Sequence, residues 1–324
     1  MAPQGNSPVT QALPLNRYTF TVRALQSLRL PDYAGSMLRG AFGHALRRVA
    51  CMTRMKECTG CPLLATCPYS QIFETPPLAH HALQKFSAMP NPYVIEPPEG
   101  GARVLAEGDT FSFSMVLMGK ALPQLPLIIL AWERALAQGL GKTNPVPCQL
   151  TSIHAERDGE PVYTPGGRVR PHTQAGPRPQ PLGNRVTLEF TTPLRLQQKG
   201  NLVGLRELDA RTLLINLARR HQLLSDTQLD SPPQTDFAAL STAAQHIHLE
   251  ADMRWHDWER YSNRQKQAMK LGGLRGRLEL TGDLAPFAQL LALGEWLHVG
   301  KEAVFGLGRY HLHHPSPQGV ECNE

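Results

Sequence analysis

Leu297-His298-Val299-Gly300-Lys301-Glu302-Ala303-Val304-Phe305-Gly306-Leu307-Gly308-Arg309-Tyr310-His311-Leu312 is the stretch on which the fold turns. It runs from an apolar helix end, through a loop with three glycines, into a strand. Glycine reaches φ > 0 easily and lets another chain approach closely. Successive exposed N–H groups in such a loop form a concavity for anions. With Lys301 inside the loop and Arg309 after it, Gly300, Gly306 and Gly308 read as a cradle for a phosphate backbone. The same glycines also fit the turn geometry of a tight hairpin. Two nucleotide-binding folds are excluded: the Gly-Lys-Ser/Thr ending of a P-loop is missing, and a strand follows where a dinucleotide fold needs a helix.

Upstream of the loop, Leu284 to Leu297 reads as a helix. Leu274, Gly276, Leu278 and Leu280 alternate with Arg275, Arg277 and Glu279, the period of a half-buried strand. Ile247 to Tyr261 begins extended, Asp209 to Leu223 reads as a helix, and Val186 to Leu196 as a strand. The first half shows the same order. Tyr18, Phe20, Val22 and Ala24 alternate with Arg17, Thr19, Thr21 and Arg23. Pro31-Asp32 opens a helix whose apolar positions Ala34, Met37, Leu38, Ala41, Phe42, Ala45, Leu46 and Val49 form one buried face. Tyr93 to Ile95 is extended, Phe111 to Leu117 alternates, Pro123 to Gln138 is helical, and Cys148 to Ala155 is a strand. Each half is thus a βαββαβ unit, the ferredoxin-like (RRM-like) pattern, and the fold class is α+β. The expected organisation is a first domain over residues 1–164 with a cysteine-rich insertion at about 51–75. A Pro/Gly-rich basic linker or hairpin over 165–184 follows, then a second domain over 185–314 and a tail over 315–324.

The chain has 324 residues, 41% of them hydrophobic, which is enough for two real cores. No apolar run approaches the roughly 20 residues needed to span a membrane. Met1 to Leu15 is polar and Pro-rich, without the basic and apolar regions of a signal peptide, so a cytoplasmic protein is expected. The net charge of +6 favours a polyanionic partner. Four of the six cysteines crowd into Cys51-x6-Cys58-x2-Cys61-x5-Cys67. In a reducing compartment such crowding points to a metal rather than to disulfides. Four soft ligands suit tetrahedral zinc in a structural role, with an iron–sulfur cluster as the alternative. Cys148 and Cys322 stand apart.

On the first helix, Tyr33, Gly40, His44 and Cys51 fall on a stripe off the buried face, bordered by Arg47 and Arg48. Gly40 leaves open space beside the His44 imidazole. Imidazole is the side chain best suited to move a proton near neutrality, although an ordinary surface histidine would occupy the same place.

Taken together, the glycine loop, the paired halves and the cysteine knuckle make the sequence resemble the CRISPR-associated pre-crRNA processing endoribonucleases of the RAMP superfamily. More narrowly, it resembles the subgroup with a cysteine-rich insertion after the first helix. The residues that carry the likeness are Leu38-Arg39-Gly40-Ala41-Phe42-Gly43-His44-Ala45-Leu46-Arg47-Arg48, Cys58-Thr59-Gly60-Cys61-Pro62-Leu63, Cys67-Pro68-Tyr69, Arg260-Tyr261-Ser262-Asn263-Arg264-Gln265, Lys270-Leu271-Gly272-Gly273-Leu274 and the closing loop. The resemblance implies metal-independent cleavage of CRISPR repeat RNA by attack of a ribose 2′-OH, leaving a 2′,3′-cyclic phosphate and a 5′-OH. It places the catalytic histidine at His44, with Tyr33 and Lys301 as helpers. Arg39, Arg47, Arg48, Arg260, Arg264, Lys270 and Arg309 are the candidate RNA contacts, with Gly300, Gly306 and Gly308 in the loop. His298 reads as a cation at the end of its helix, although from there it could also reach the same phosphate. The expected partners are repeat RNA or crRNA and other subunits of a CRISPR effector complex. The alternative reading is a subunit of such a complex that holds the RNA without cutting it.

Overall fold

The computed structural model describes residues 12–78, 89–141, 143–173, 175–257, 259–262, 267–270 and 272–314. The first half contributes β1 (Leu15–Ala24), α1 (Gly35–Ala50), β2 (Tyr93–Glu96), β3 (Thr110–Met118), α2 (Leu125–Gln138) and β4 (Cys148–Ala155). Its antiparallel sheet has the order β2-β3-β1-β4. The second half contributes β5 (Arg185–Leu194), α3 (Ala210–Gln228), β6 (His248–His256), β7 (Gly273–Thr281), α4 (Ala288–Leu297) and β8 (Tyr310–His313). Its antiparallel sheet has the order β6-β7-β5-β8. The two orders are the same, so the chain is two ferredoxin-like units in tandem.

Alternation decides which face of each sheet is buried. Phe20 on β1 pairs across the ladder with Phe113 on β3, and their rings stack at 5.0 Å. Trp132 of α2 and Phe42 of α1 close over them, with centroids 4.5 Å from Phe113 and 5.2 Å between the two. The other face of the first sheet is covered by the second half. Val94, Val116 and Met118 form one apolar cluster with Leu224 of α3 and Leu293, Trp296 and Leu297 of α4.

Some elements differ from expectation. The first helix begins at Gly35 rather than at Pro31-Asp32, and no side chain caps it. Its entry is set instead by packing: the Tyr33 hydroxyl donates to the Phe305 carbonyl, and a Cβ at Gly35 would lie 2.1 Å from the same oxygen. Helices at Pro68–Phe73 and Phe237–Ala244 and a hairpin pairing Glu259–Ser262 with Gln267–Lys270 carry too little periodicity to be read in advance. No helix among the described residues is long and apolar enough to cross a membrane.

Candidate functional site

His44 is exposed on α1, between the buried Gly43 and Ala45. The two glycines beside it differ in role. Gly43 lets the helix lie against Phe73, where a Cβ would come within 2.2 Å of the ring, whereas a Cβ at Gly40 would meet nothing within 4 Å. The imidazole therefore stands beside open space one turn along an otherwise packed helix.

The cations expected to flank it are differently engaged. Arg39 stacks on Phe73 at 4.4 Å and lies beside Tyr93. Arg47 donates through Nη2 to the carbonyls of Met55 and Lys56, at 2.6 and 2.7 Å, and so braces the cysteine loop. Arg48 is exposed and donates to Gln138 Oε1 at 2.8 Å on the end of α2. Of these three, Arg48 alone presents an exposed side chain.

Tyr33 is held at the other end of the helix by its bond to Phe305. Burial pushes its phenol well above the ordinary value, so it is a neutral donor at neutral pH. His44 lies nine residues beyond Gly35, which is roughly 13 Å along the helix axis.

The glycine loop differs from the expected open cradle. Gly306 and Gly308 are buried and take φ of 98° and 71°. A Cβ at Gly306 would lie 2.7 Å from the Tyr33 hydroxyl, and one at Gly308 would lie 1.9 Å from the Val299 carbonyl oxygen. The amides of Val299, Lys301, Phe305, Gly306 and Gly308 bond to backbone carbonyls, and that of Arg309 to Thr192 Oγ1. Gly306 serves close approach to the first half and Gly308 close approach within the second, rather than an open cradle for an anion. Gly300 and Lys301 remain at the surface, lining a cleft of about 430 Å³ with Asn91 of the first half and Arg219 and Arg220 of α3.

Arg309, expected on RNA, instead bonds Glu99 Oε1 at 3.0 Å and approaches Glu96 at 4.0 Å. Glu96 is the buried centre of a network that the sequence reading missed. Arg17 pairs with both of its oxygens at 3.0 Å, and His298 Nε2 lies 3.1 Å away. Burial alone would raise this carboxyl, but the His298 hydrogen bond and the charges of Arg17 and Arg309 hold it at about 2. Burial lowers His298, so its ring favours the neutral form. Both ring neighbours, Glu96 and the Leu307 carbonyl, are acceptors. A neutral ring can donate to only one of them, and the carboxylate is the stronger acceptor. His298 is thus the buried end of α4, neutral rather than the helix-end cation that its position suggests.

Arg264 falls outside the described residues. Arg260 and Lys270 lie on the paired strands Glu259–Ser262 and Gln267–Lys270, where Glu259 faces Lys270 and Arg260 faces Met269.

Cys51, Cys58, Cys61 and Cys67 line one small cavity, with Thr53 Oγ1 3.9 Å from Cys51 Sγ and 3.5 Å from Cys61 Sγ. Gly60, with φ of 77°, makes the turn between the central pair. Burial and then Glu74 raise Cys58 to about 11, so a metal would have to displace its proton. The donors suit zinc in kind. Among the described residues, however, no group of three or more His, Cys, Asp or Glu side chains converges closely enough to hold a metal ion.

Comparison with known proteins adds to this geometry. Residues 13–174 match the AF_1859_N model of an N-terminal domain, and residues 188–310 match the model of the CRISPR-associated endoribonuclease Cas6. Curated protein sequences give no match. Among solved structures, a Cas6 product complex is similar at a TM-score of 0.58 and 17% identity, over 92% of this chain and 100% of that one. Thermus thermophilus Cas6 is similar at 0.51 and 16%, over 94% and 100%. A partial Cas6-RT-Cas1–Cas2 complex is similar at 0.55 and 16%, over 95% of this chain and 47% of that one. At these identities the structural likeness is one of fold, and it agrees with the paired ferredoxin-like units. The AF_1859_N model takes in the first core and the Cas6 model the second, and together with the shared fold they support a Cas6-type CRISPR-associated endoribonuclease.

Proposed function

We propose that this protein binds the repeat RNA of a CRISPR precursor transcript and cuts it to mature crRNA without a catalytic metal. The ribose 2′-OH attacks the adjacent phosphorus in line, forming the O2′–P bond and breaking the P–O5′ bond. One product ends in a 2′,3′-cyclic phosphate and the other begins with a 5′-OH. The reaction needs a group to take the 2′-OH proton, a group to give a proton to O5′, and positive charge for the phosphorane. The observation that carries the reading is His44, an exposed imidazole with open space beside it at Gly40. His44 performs one of the two proton transfers. Arg48 is the exposed cation nearest it in the chain. Lys301, exposed at the glycine-loop cleft, supplies positive charge to the RNA phosphates. Tyr33 positions the loop against α1. Zinc at the four cysteines would brace the loop that follows α1 and takes no part in the chemistry. The Cas6-RT-Cas1–Cas2 complex motivates other CRISPR proteins as partners.

A second reading is an RNA-holding subunit that does not cut. It is favoured by the engagement of Tyr33 with the Phe305 carbonyl and of Arg39, Arg47 and Arg309 in packing, loop hydrogen bonds and ion pairs. Single-turnover cleavage decides between them. His44→Ala should slow cutting by roughly 100- to 10,000-fold while RNA affinity stays within a few-fold. A 2′-deoxy substitution at the scissile nucleotide should abolish cutting and keep binding. Parental rates in the His44→Ala variant would remove His44 from the chemistry. A parent that binds repeat RNA and never cuts it would establish the second reading.

A further inference from the structure

The cleft beside the glycine loop contains a guanidinium that no carboxylate pairs among the described residues. Arg220 lies on α3, and its Nε donates to the Leu297 carbonyl at the end of α4, at 2.8 Å. The residue as a whole retains some exposure. Its Nη2 is closed off from solvent and has no hydrogen-bond partner among the described residues, so it is the rest of the side chain that lines the cleft. No carboxylate pairs with it in the described structure. Burial lowers its pKa to about 10, so the guanidinium is still charged at neutral pH. Buried charges in folded proteins are paired or serve a ligand, and the Leu297 carbonyl offers only the partial negative charge of a helix end.

The surroundings fit an anion. Arg219, Arg220 and Lys301 line the same cleft, and the one carboxylate among its lining residues, Glu302, interacts with Arg195. Gly300 brings the loop backbone against Arg195, where a Cβ would lie 2.4 Å from the carbonyl oxygen, and so places Lys301 at the surface. A volume of about 430 Å³ admits a nucleotide-sized group. The planar guanidinium offers a fork of donors that matches phosphate oxygens.

We propose that this cleft is a phosphate site that takes one phosphodiester group of the bound RNA, held from within by Arg220 and from the surface by Lys301. The proposal rests on the RNA-binding reading above and adds to it a residue that no sequence pattern marks. The alternative role for Arg220 is purely structural, as a cation capping the end of α4.

The test uses the full chain and two probes. Inorganic phosphate, compared with chloride at matched ionic strength, should raise the thermal midpoint of the parent and leave Arg220→Gln and Lys301→Glu unmoved. In a salt series with short single-stranded RNA carrying a 2′-deoxy block, log K against log salt should flatten by about 0.7 in Arg220→Gln, the value for one lost phosphate contact on a single strand. Lys301→Glu reverses an exposed charge and reports on the cleft even where Arg220→Gln fails to fold. RNA binding with parental slopes in both variants overturns the site and leaves the RNA reading standing. A phosphate response that depends on Arg220, in a parent that binds no RNA, keeps the anion site and sinks the RNA reading. No phosphate response and no change in slope sinks the proposal outright.

Discussion

Tyr33 shows how far a side chain's role depends on what the fold brings to it. Its hydroxyl donates to the Phe305 carbonyl, and burial holds the phenol in its protonated form. A proton donor whose hydrogen is already directed at a backbone carbonyl is poorly placed to serve a leaving oxygen. Tyr33→Phe should therefore lower stability by about 1 kcal/mol, the usual net worth of one such bond, and change the single-turnover cleavage rate less than tenfold. A loss of 100-fold or more with unchanged folding would return Tyr33 to the chemistry. At this scale the sequence supplied the right residue types and hid their partners. Arg39, Arg47 and Arg309 read as surface cations, yet each meets an aromatic ring, a loop carbonyl or a carboxylate. Glu96 follows the apolar Tyr93-Val94-Ile95, and that one charged position at a buried strand's end was the available signal. Arg220 gave none, because a helical arginine looks the same whether it faces water or a cleft.

Among the elements, α1 was legible as an amphipathic helix because its apolar residues repeat at helical spacing, and Leu38, Phe42, Ala45 and Leu46 are indeed buried. Its start was not legible, since it depends on a loop more than 260 residues away in sequence. The closing loop was legible as glycine-dependent, but the reason differs: two of its glycines are buried by close backbone contacts. Gly40 separates stability from function. With open space around it inside a helix, Gly40→Ala should stabilise the fold by roughly 0.5–1 kcal/mol. If that space admits substrate beside His44, the same methyl should slow cleavage at least several-fold. A variant both more stable and fully active would show that the gap at Gly40 is incidental. The cysteine loop makes a separate demand. Purified protein should carry about one zinc per chain, and strong chelation should lower its thermal midpoint. Elemental analysis without metal would leave the loop held by Arg47 and its own turns, whereas iron with sulfide would assign the four thiols to a cluster.

At the scale of the molecule, strand and helix order was enough to predict two βαββαβ units, because alternation and helical spacing are local properties. How the units meet was not predictable, because it is set by contacts between β2, β3, α3 and α4 that no window of sequence contains. The junction combines that apolar cluster with the buried ion network of Arg17, Glu96, His298 and Arg309, and Arg17 also lies 4.4 Å over the Trp296 ring. Glu96 belongs to the first unit, and His298 and Arg309 to the second, so the carboxylate ties the halves together. Its folded pKa of about 2 lies below the ordinary 4.5. A carboxyl with a depressed folded pKa stabilises the fold above its unfolded value and loses that contribution as pH falls toward the folded one. The contribution here is roughly 3 kcal/mol at neutral pH, fully present above about pH 5 and lost progressively as the pH falls toward 2. Glu96→Gln removes it and strands Arg17, which breaks a buried pair and should cost about 3–5 kcal/mol at pH 7. Urea unfolding of parent and variant between pH 2 and pH 7 measures the difference directly. The gap should be largest at neutral pH and narrow steadily below about pH 4.5. A gap that stays constant down to pH 2, or one below 1 kcal/mol at pH 7, would mean that the apolar cluster alone joins the two halves.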